Sequence, residues 1–204
     1  MRLTRVAVAV AAAALAPALL IAAPASAADA PAVVPAPCVA ATTAPDGSPV
    51  PVDSMSDDDV RVAIFRVIGN AATGRGVQAA AQRAMDGTIE DQRAFLTTGC
   101  AVAQAEDDAV AVFRILGVAQ QNNDRAVVRE ATRALDDGSP AALRAFIETG
   151  RRLAQAEDDQ VAIFRILADP QTSPAVRAAA EAALDDGSPE ALRSFLEHRA
   201  ELPG

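Results

Sequence analysis

Most of this chain is written three times. The run Asp58-Asp59-Val60-Arg61-Val62-Ala63-Ile64-Phe65-Arg66 recurs as Glu106-Asp107-Asp108-Ala109-Val110-Ala111-Val112-Phe113-Arg114. It returns as Glu157-Asp158-Asp159-Gln160-Val161-Ala162-Ile163-Phe164-Arg165. A second block follows each copy, leading from Asp86-Gly87-Thr88 to Phe95, from Asp137-Gly138-Ser139-Pro140 to Phe146, and from Asp186-Gly187-Ser188-Pro189 to Phe195. Units near 50 residues are too small to close a core alone, so they must bury their apolar faces on one another. Gly to Phe is 8 residues in each second block, and Phe95 to Phe113 equals Phe146 to Phe164 at 18. All 6 Phe of the chain fall at these two repeat positions. A register so strict reads as packing, and all of them are expected in the core.

Within a repeat the pattern is helical and no run alternates like a strand. One segment carries Val, Ile, Leu and Phe (near 57–69, 102–117 and 153–168). A second is Ala-rich (near 77–85, 125–135 and 174–184), and alanine is both the best helix former and small enough for close helix approach. A third opens at Thr88, Ser139 or Ser188, each a helix cap, with Pro140 and Pro189 at the first helical position. Gly99 and Gly150 are placed to end it. The expected fold is all-α: a three-repeat α-solenoid of the HEAT or armadillo type, about three helices per repeat. The repeats run at about 57–99, 100–150 and 151–200, inside a helical domain 54–204. The last segment turns polar at Glu197-His198-Arg199, as a capping end would.

Ahead of the repeats, Arg2 and Arg5 precede an apolar run from Val6 to Ala23, and Ala25-Ser26-Ala27 offers a small-residue cleavage site. Residues 1–27 therefore read as a secretory signal peptide, and the mature chain as secreted and extracellular, with no membrane association once the leader is gone. Loss of the two leader arginines would take the net charge from −9 to −11. Residues 28–53 are rich in Pro and Ala and read as a flexible, extended linker. Cys38 lies in that linker and Cys100 in the helical body. In an exported chain the pair reads most simply as one disulfide; a free thiol and an intermolecular bond stay open, since spacing cannot separate them.

The run Ala134-Leu135, Asp137-Gly138-Ser139 and Phe146-Ile147-Glu148-Thr149-Gly150 resembles the ALF short repeats of exported actinobacterial proteins. The third copy matches at Ala183-Leu184, Gly187-Ser188 and Phe195-Leu196, but has Glu197-His198-Arg199 where Thr-Gly would follow. The first departs at Met85 and is one residue shorter before Gly87. The resemblance implies a secreted helical repeat protein. It brings no catalytic residues, because the repeats have no known function.

Composition narrows the function. All 18 basic residues are Arg, the net charge is −9, and there is no Trp or Tyr. That balance opposes nucleic acid and anionic membranes, and the missing aromatics remove the usual stacking platforms. His198, the sole imidazole, reads as a solvated surface residue with no nucleophile elbow to serve. Gly74-Arg75-Gly76 lacks the Lys-Ser/Thr of a phosphate loop. The expectation is a protein that is not an enzyme and carries no cofactor and no metal site.

The acidic triplets 57–59, 106–108 and 157–159 read as helix-start charges complementing the dipole. The competing reading stacks them into an acidic ridge for Ca²⁺ or a cationic partner, although no calcium-loop spacing appears. Arg66, Arg114 and Arg165, with Arg93, Arg144 and Arg193, read as surface ion-pair partners, or as a guanidinium ladder for carboxylate ligands. Loops of variable length mark the candidate binding face, with Asn70, Gln120, Gln121, Asn122, Asn123 and Gln171 as uncharged hydrogen-bonding groups. The expected role is a protein-interaction scaffold for an unidentified protein or peptide, with self-association left open. The alternative is a divalent-cation-responsive structural component of the cell surface.

Overall fold

The structure is a computed structural model that describes residues 36–203. The leader 1–27 and the linker residues 28–35 lie outside the described residues. Among those described there is no strand, only an isolated bridge between Thr43 and Pro49. No helix among them is long and apolar enough to cross a membrane.

Among the described residues ten α-helices follow in order: α1 (Pro37–Ala41), α2 (Asp57–Gly69), α3 (Arg75–Asp86), α4 (Ile89–Ala94), α5 (Cys100–Asn122), α6 (Arg125–Asp137), α7 (Pro140–Ala145), α8 (Arg151–Ala168), α9 (Pro174–Asp186) and α10 (Pro189–His198). The three helical segments of each repeat are present: α2–α3–α4, α5–α6–α7 and α8–α9–α10. Successive repeats stack because α3 packs on α5 and α6 on α8. This is the all-α repeat architecture that the sequence periodicity implies.

The caps fall where hydroxyls were placed. Thr88, Ser139 and Ser188 accept from the backbone N–H three residues on, and Thr88 forms a reciprocal capping box with Asp91. Each satisfies an amide that the first helical turn leaves without a partner. Gly138 and Gly187 end α6 and α9 with φ of +66° and +68°, a backbone region that costs a side chain dearly and glycine nothing.

Gly99 and Gly150, by contrast, end no helix. Phe95–Gly99 and Phe146–Gly150 are π-turns, and the chain passes through them from α4 into α5 and from α7 into α8. Helical backbone at both glycines allows the path to continue, and the wider turn rephases the side chains. The third repeat, which lacks the Thr-Gly pair, has no π-turn; α10 instead runs to His198 and into a 3₁₀ turn, Arg199–Glu201.

Rephasing lets α5 and α8 each serve two cores. Cys100 and Ala103, at the start of α5, close a cluster with Val60, Ile64, Val67, Val77, Ala81 and Phe95. Further along, Val112 and Ala119 belong to the next cluster, with Val127, Ala131, Leu143 and Phe146, and this one is closed by Ala154 of α8. A third gathers Ile163, Ala180, Leu192 and Phe195. Among the described residues the buried side chains thus gather into three clusters, one per repeat.

The linker reading fails for its described part. Over residues 36–53 the chain makes α1 and enters a 3₁₀ turn at Val52–Ser54; Pro37 and Ala41 are buried, and Cys38, Val52 and Met55 pack on the first core. Pro37 sits in the first turn of α1, and Pro51, in extended backbone, leads into the 3₁₀ turn. Cys38 is disulfide-bonded to Cys100, the first residue of α5, across 62 residues of sequence. The bond and the packing turn this stretch into a strap over the first repeat.

Candidate interaction surface

Only one of the three acidic triplets does the helix-start work expected of it. Only Asp57, Asp58 and Asp59 sit in a first helical turn. The other two triplets lie in mid-helix, because α5 begins at Cys100 and α8 at Arg151. Their members divide the labour of a joint. Asp107 accepts from the amides of Gly76 and Val77, both at 2.9 Å, and so caps α3 of the preceding repeat. Asp158 does the same for α6, accepting from Ala126 and Val127 at 3.0 and 3.1 Å. A carboxylate from one repeat thus satisfies the free amides and the positive end of a helix in another. Gly74 is what admits Asp107: a Cβ there would lie 2.2 Å from the carboxylate oxygen.

The next residue reaches the other way. Asp108 is buried and accepts from Arg144 Nη2 at 2.6 Å and Gln104 Nε2 at 3.0 Å. Asp159, equally buried, accepts from Arg193 Nη2 at 2.7 Å and Gln155 Nε2 at 3.2 Å. Burial pushes the Asp159 carboxyl above its usual range, with Gln155 and Arg193 pulling against it. In the first repeat Arg93 holds the strap instead, donating to the carbonyls of Val52 and Met55 and to Asp57 Oδ1. Arg129 adds a link between repeats by pairing with Glu157 at 2.7 Å, which holds the Glu157 carboxyl low. Asp107, Asp108, Glu157, Asp158 and Asp159 are thus engaged by amides and guanidinium groups, while Glu106 is exposed and has no ionic partner among the described residues. No group of three or more His, Cys, Asp or Glu among the described residues is disposed to hold a metal.

The loop residues lie at or just beyond the ends of α2, α5 and α8. Asn70 caps the end of α2 and turns its side chain back to accept from the Ala72 amide. Gln120, Gln121 and Asn122 form the exposed last turn of α5, and Asn123 follows in the left-handed region at φ 61°. Gln171 is exposed in the turn before α9. Asn122 lines a cavity of about 230 Å³ with Arg114, Val118 and Arg151; Asn70 and Gln171 are not part of it. A larger groove, about 600 Å³, runs between α8 and α10; four of its ionic residues are paired with each other, Arg193 with Asp159 and Arg152 with Glu190, while Arg151 and Glu197 form no ion pair among the described residues. His198 is exposed, with Nδ1 2.8 Å from the Ser194 carbonyl.

What sequence reasoning missed is a second apolar face. Phe95, Phe146 and Phe195 are buried, at 5%, 5% and 8% exposure, as expected. Phe65, Phe113 and Phe164 are not: they are 60%, 61% and 59% exposed. The reason lies in helical phase. In α2 the buried residues are Val60, Ala63, Ile64 and Val67, a stripe that omits Phe65. Val62 and Phe65 form a separate stripe, three residues apart, and both face solvent. Val110 with Phe113, and Val161 with Phe164, repeat it on α5 and α8. Two apolar stripes on one helix were visible in the spacing, and the core accounts for one of them.

Each exposed Phe is followed by an exposed arginine: Arg66, Arg114 and Arg165. None of these forms a salt bridge among the described residues. Arg93, Arg144 and Arg193, the other recurrent set, are all paired with aspartates. The same surface element, valine, phenylalanine and an unpaired arginine, therefore stands at one position of all three repeats.

Comparison with known families agrees with this division into units. A family of short repeats of unknown function, ALF, matches residues 61–103, 110–154 and 160–199. The chain belongs to the ALF repeat family. No curated protein matches it. The matched units start midway along α2, α5 and α8, and the first two end in the opening turn of the next long helix. They follow the three cores, while the residues skipped between them, 104–109 and 155–159, are the joints that hold Asp107, Asp108, Asp158 and Asp159. An ALF unit is thus one core, and the acidic triplet is the connector between units.

Proposed function

We propose that this ALF-repeat protein is a secreted, non-enzymatic interaction scaffold that binds a protein partner through the valine–phenylalanine–arginine face of α2, α5 and α8. The observation that carries this reading is the threefold recurrence of an exposed Phe beside an unpaired Arg. Large apolar side chains left in water at equivalent positions mark a contact surface, because burying them on a partner recovers hydrophobic free energy that the isolated fold forgoes. Aromatic and arginine side chains are also the residues that dominate binding at interface centres. The chemistry favoured in the partner is apolar with carboxylates, since the guanidinium groups on this face have no acid of their own. This replaces the cationic partner suggested by the triplets.

Export is supported by the leader-like N-terminus and by the Cys38–Cys100 disulfide, a bond that persists in oxidising compartments. Mass analysis of the protein recovered from culture medium is expected to find a chain that begins at residue 28. The binding face is tested by Phe65→Ala, Phe113→Ala and Phe164→Ala combined, with immobilised protein exposed to medium and cell-envelope fractions. The triple variant is expected to lose its partner and to keep its helicity and melting temperature. Undiminished capture would move the binding surface to Gln120–Asn123 and the neighbouring loops.

A further inference from the structure

We infer that the partner seated on this face is a second copy of the same chain, joined by antiparallel pairing of each long helix with its own counterpart. The inference rests on the proposed binding face and names its occupant. Its basis is a pattern of charge that is complementary to itself.

Four residues before each exposed valine stands an acid, and four residues after it stands the unpaired arginine. The sets are Asp58, Val62 and Arg66; Glu106, Val110 and Arg114; and Glu157, Val161 and Arg165, with all nine side chains exposed. A spacing of four keeps the three members of a set on one side of a helix. When such a helix meets a copy of itself running the opposite way, with the valines level, each acid lies opposite the arginine of the second copy and each arginine opposite the acid. Phe113 then packs beside Val110 of the second copy. On α5 the symmetry extends further out, since Val102 and Val118 are both exposed and lie eight residues to either side of Val110. Gly117, on the same helix, has open space beyond its backbone, which leaves room for a partner side chain.

Parallel pairing of like with like would set arginine against arginine and acid against acid, so charge selects the antiparallel sense. An isologous two-fold axis running along the stack would make the three repeats act together, each facing its own copy. Asp58 and Glu157 already have partners, Arg61 at 3.0 Å and Arg129 at 2.7 Å. Glu106 has none among the described residues, so the central repeat is the place to test the pairing.

The test is light scattering coupled to gel filtration at ~100 µM, with refractive-index detection because the chain has no Trp or Tyr. Wild type is expected to run as a dimer. Glu106→Arg and Arg114→Glu, made singly, are expected to run mostly as monomers with unchanged helicity. Both changes in one chain should restore the dimer, and mixing the two single variants should give a heterodimer, because every juxtaposition is then opposite in sign. A monomeric wild type overturns the inference; if that monomer still captures another protein through Phe65, Phe113 and Phe164, the binding face stands and only its occupant was wrong. A dimer that survives Phe113→Ala with Arg114→Glu also overturns it, by placing the interface elsewhere.

Discussion

Phe113 and Phe146 belong to the same repeat, 33 residues apart, and meet opposite surroundings: one is 61% exposed, the other 5%. The arginines beside them divide in the same way. Arg144 is bound to a buried aspartate, whereas Arg114 has no ionic partner among the described residues. Identical residue types at equally strict spacings therefore serve two ends, the inside of a unit and its outward face. Strict recurrence does not distinguish them. In a stack, a position that repeats for packing and one that repeats for binding look alike, because both are copied with the unit.

The contrast can be broken most forcefully at the phenylalanines. Phe146→Ala is expected to cost ~3–5 kcal/mol, from lost transfer energy and the cavity left in the second core. Phe113→Ala should stay within about 0.5 kcal/mol for the monomer, as a surface change does. Urea unfolding of the two variants at low protein concentration checks this, and equal losses would mean that Phe113 is buried after all. Next come the arginines. Arg144→Ala strands Asp108 as a buried charge, with an expected loss of ~3 kcal/mol, while Arg114→Ala should be near neutral. Thermal melts at one pH are enough to compare them.

A smaller effect tests the joint. Asp107→Ala removes the cap on α3 and should cost ~1 kcal/mol, with faster amide exchange at Gly76 and Val77 but not at the α6 amides of Ala126 and Val127. Asp158→Ala should show the reverse. The smallest effect is one of pH. Asp137 and Asp186 are held below their ordinary values by the hydroxyl and amide of Ser139 and Ser188, and Glu157 by Arg129. A folded-state value below the unfolded one means stability that is present above the unfolded value and lost as pH falls through the folded one. Asp159, raised by burial, has the opposite sign and gains as pH falls. Melting temperature should therefore drop gradually below about pH 4 in wild type, the range where free carboxylates take up protons. The Asp159→Asn variant should show a steeper drop.

Much of the fold was legible along the chain. Three near-copies with Thr88, Ser139 and Ser188 as caps, Pro140 and Pro189 at first helical positions, and alanine-rich second segments specify stacked helices from local rules alone. The compartment logic of two cysteines gave the Cys38–Cys100 pair as the simplest choice. The helix ends at Gly99 and Gly150 were misread because glycine permits a stop without requiring one, and the packing of α5 and α8 on two cores favours continuation. The strap was misread for a similar reason: proline density forbids long helices but not short ones fastened by a disulfide. In the candidate site, the phase difference between Ile64 and Phe65 was present in the spacing, but which of two apolar stripes would be buried depends on where the neighbouring helices lie.

The order of residues along the chain set the unit, its length, its caps and the number of its copies, because those follow from backbone preferences and side-chain periodicity within a few turns. The packing of one unit on the next settled which phenylalanines face inward, which aspartate caps a helix some 30 residues away and which arginines lack an ionic partner among the described residues. Those outcomes depend on contacts between units, and local preference carries no information about what the next unit will bring against a given face.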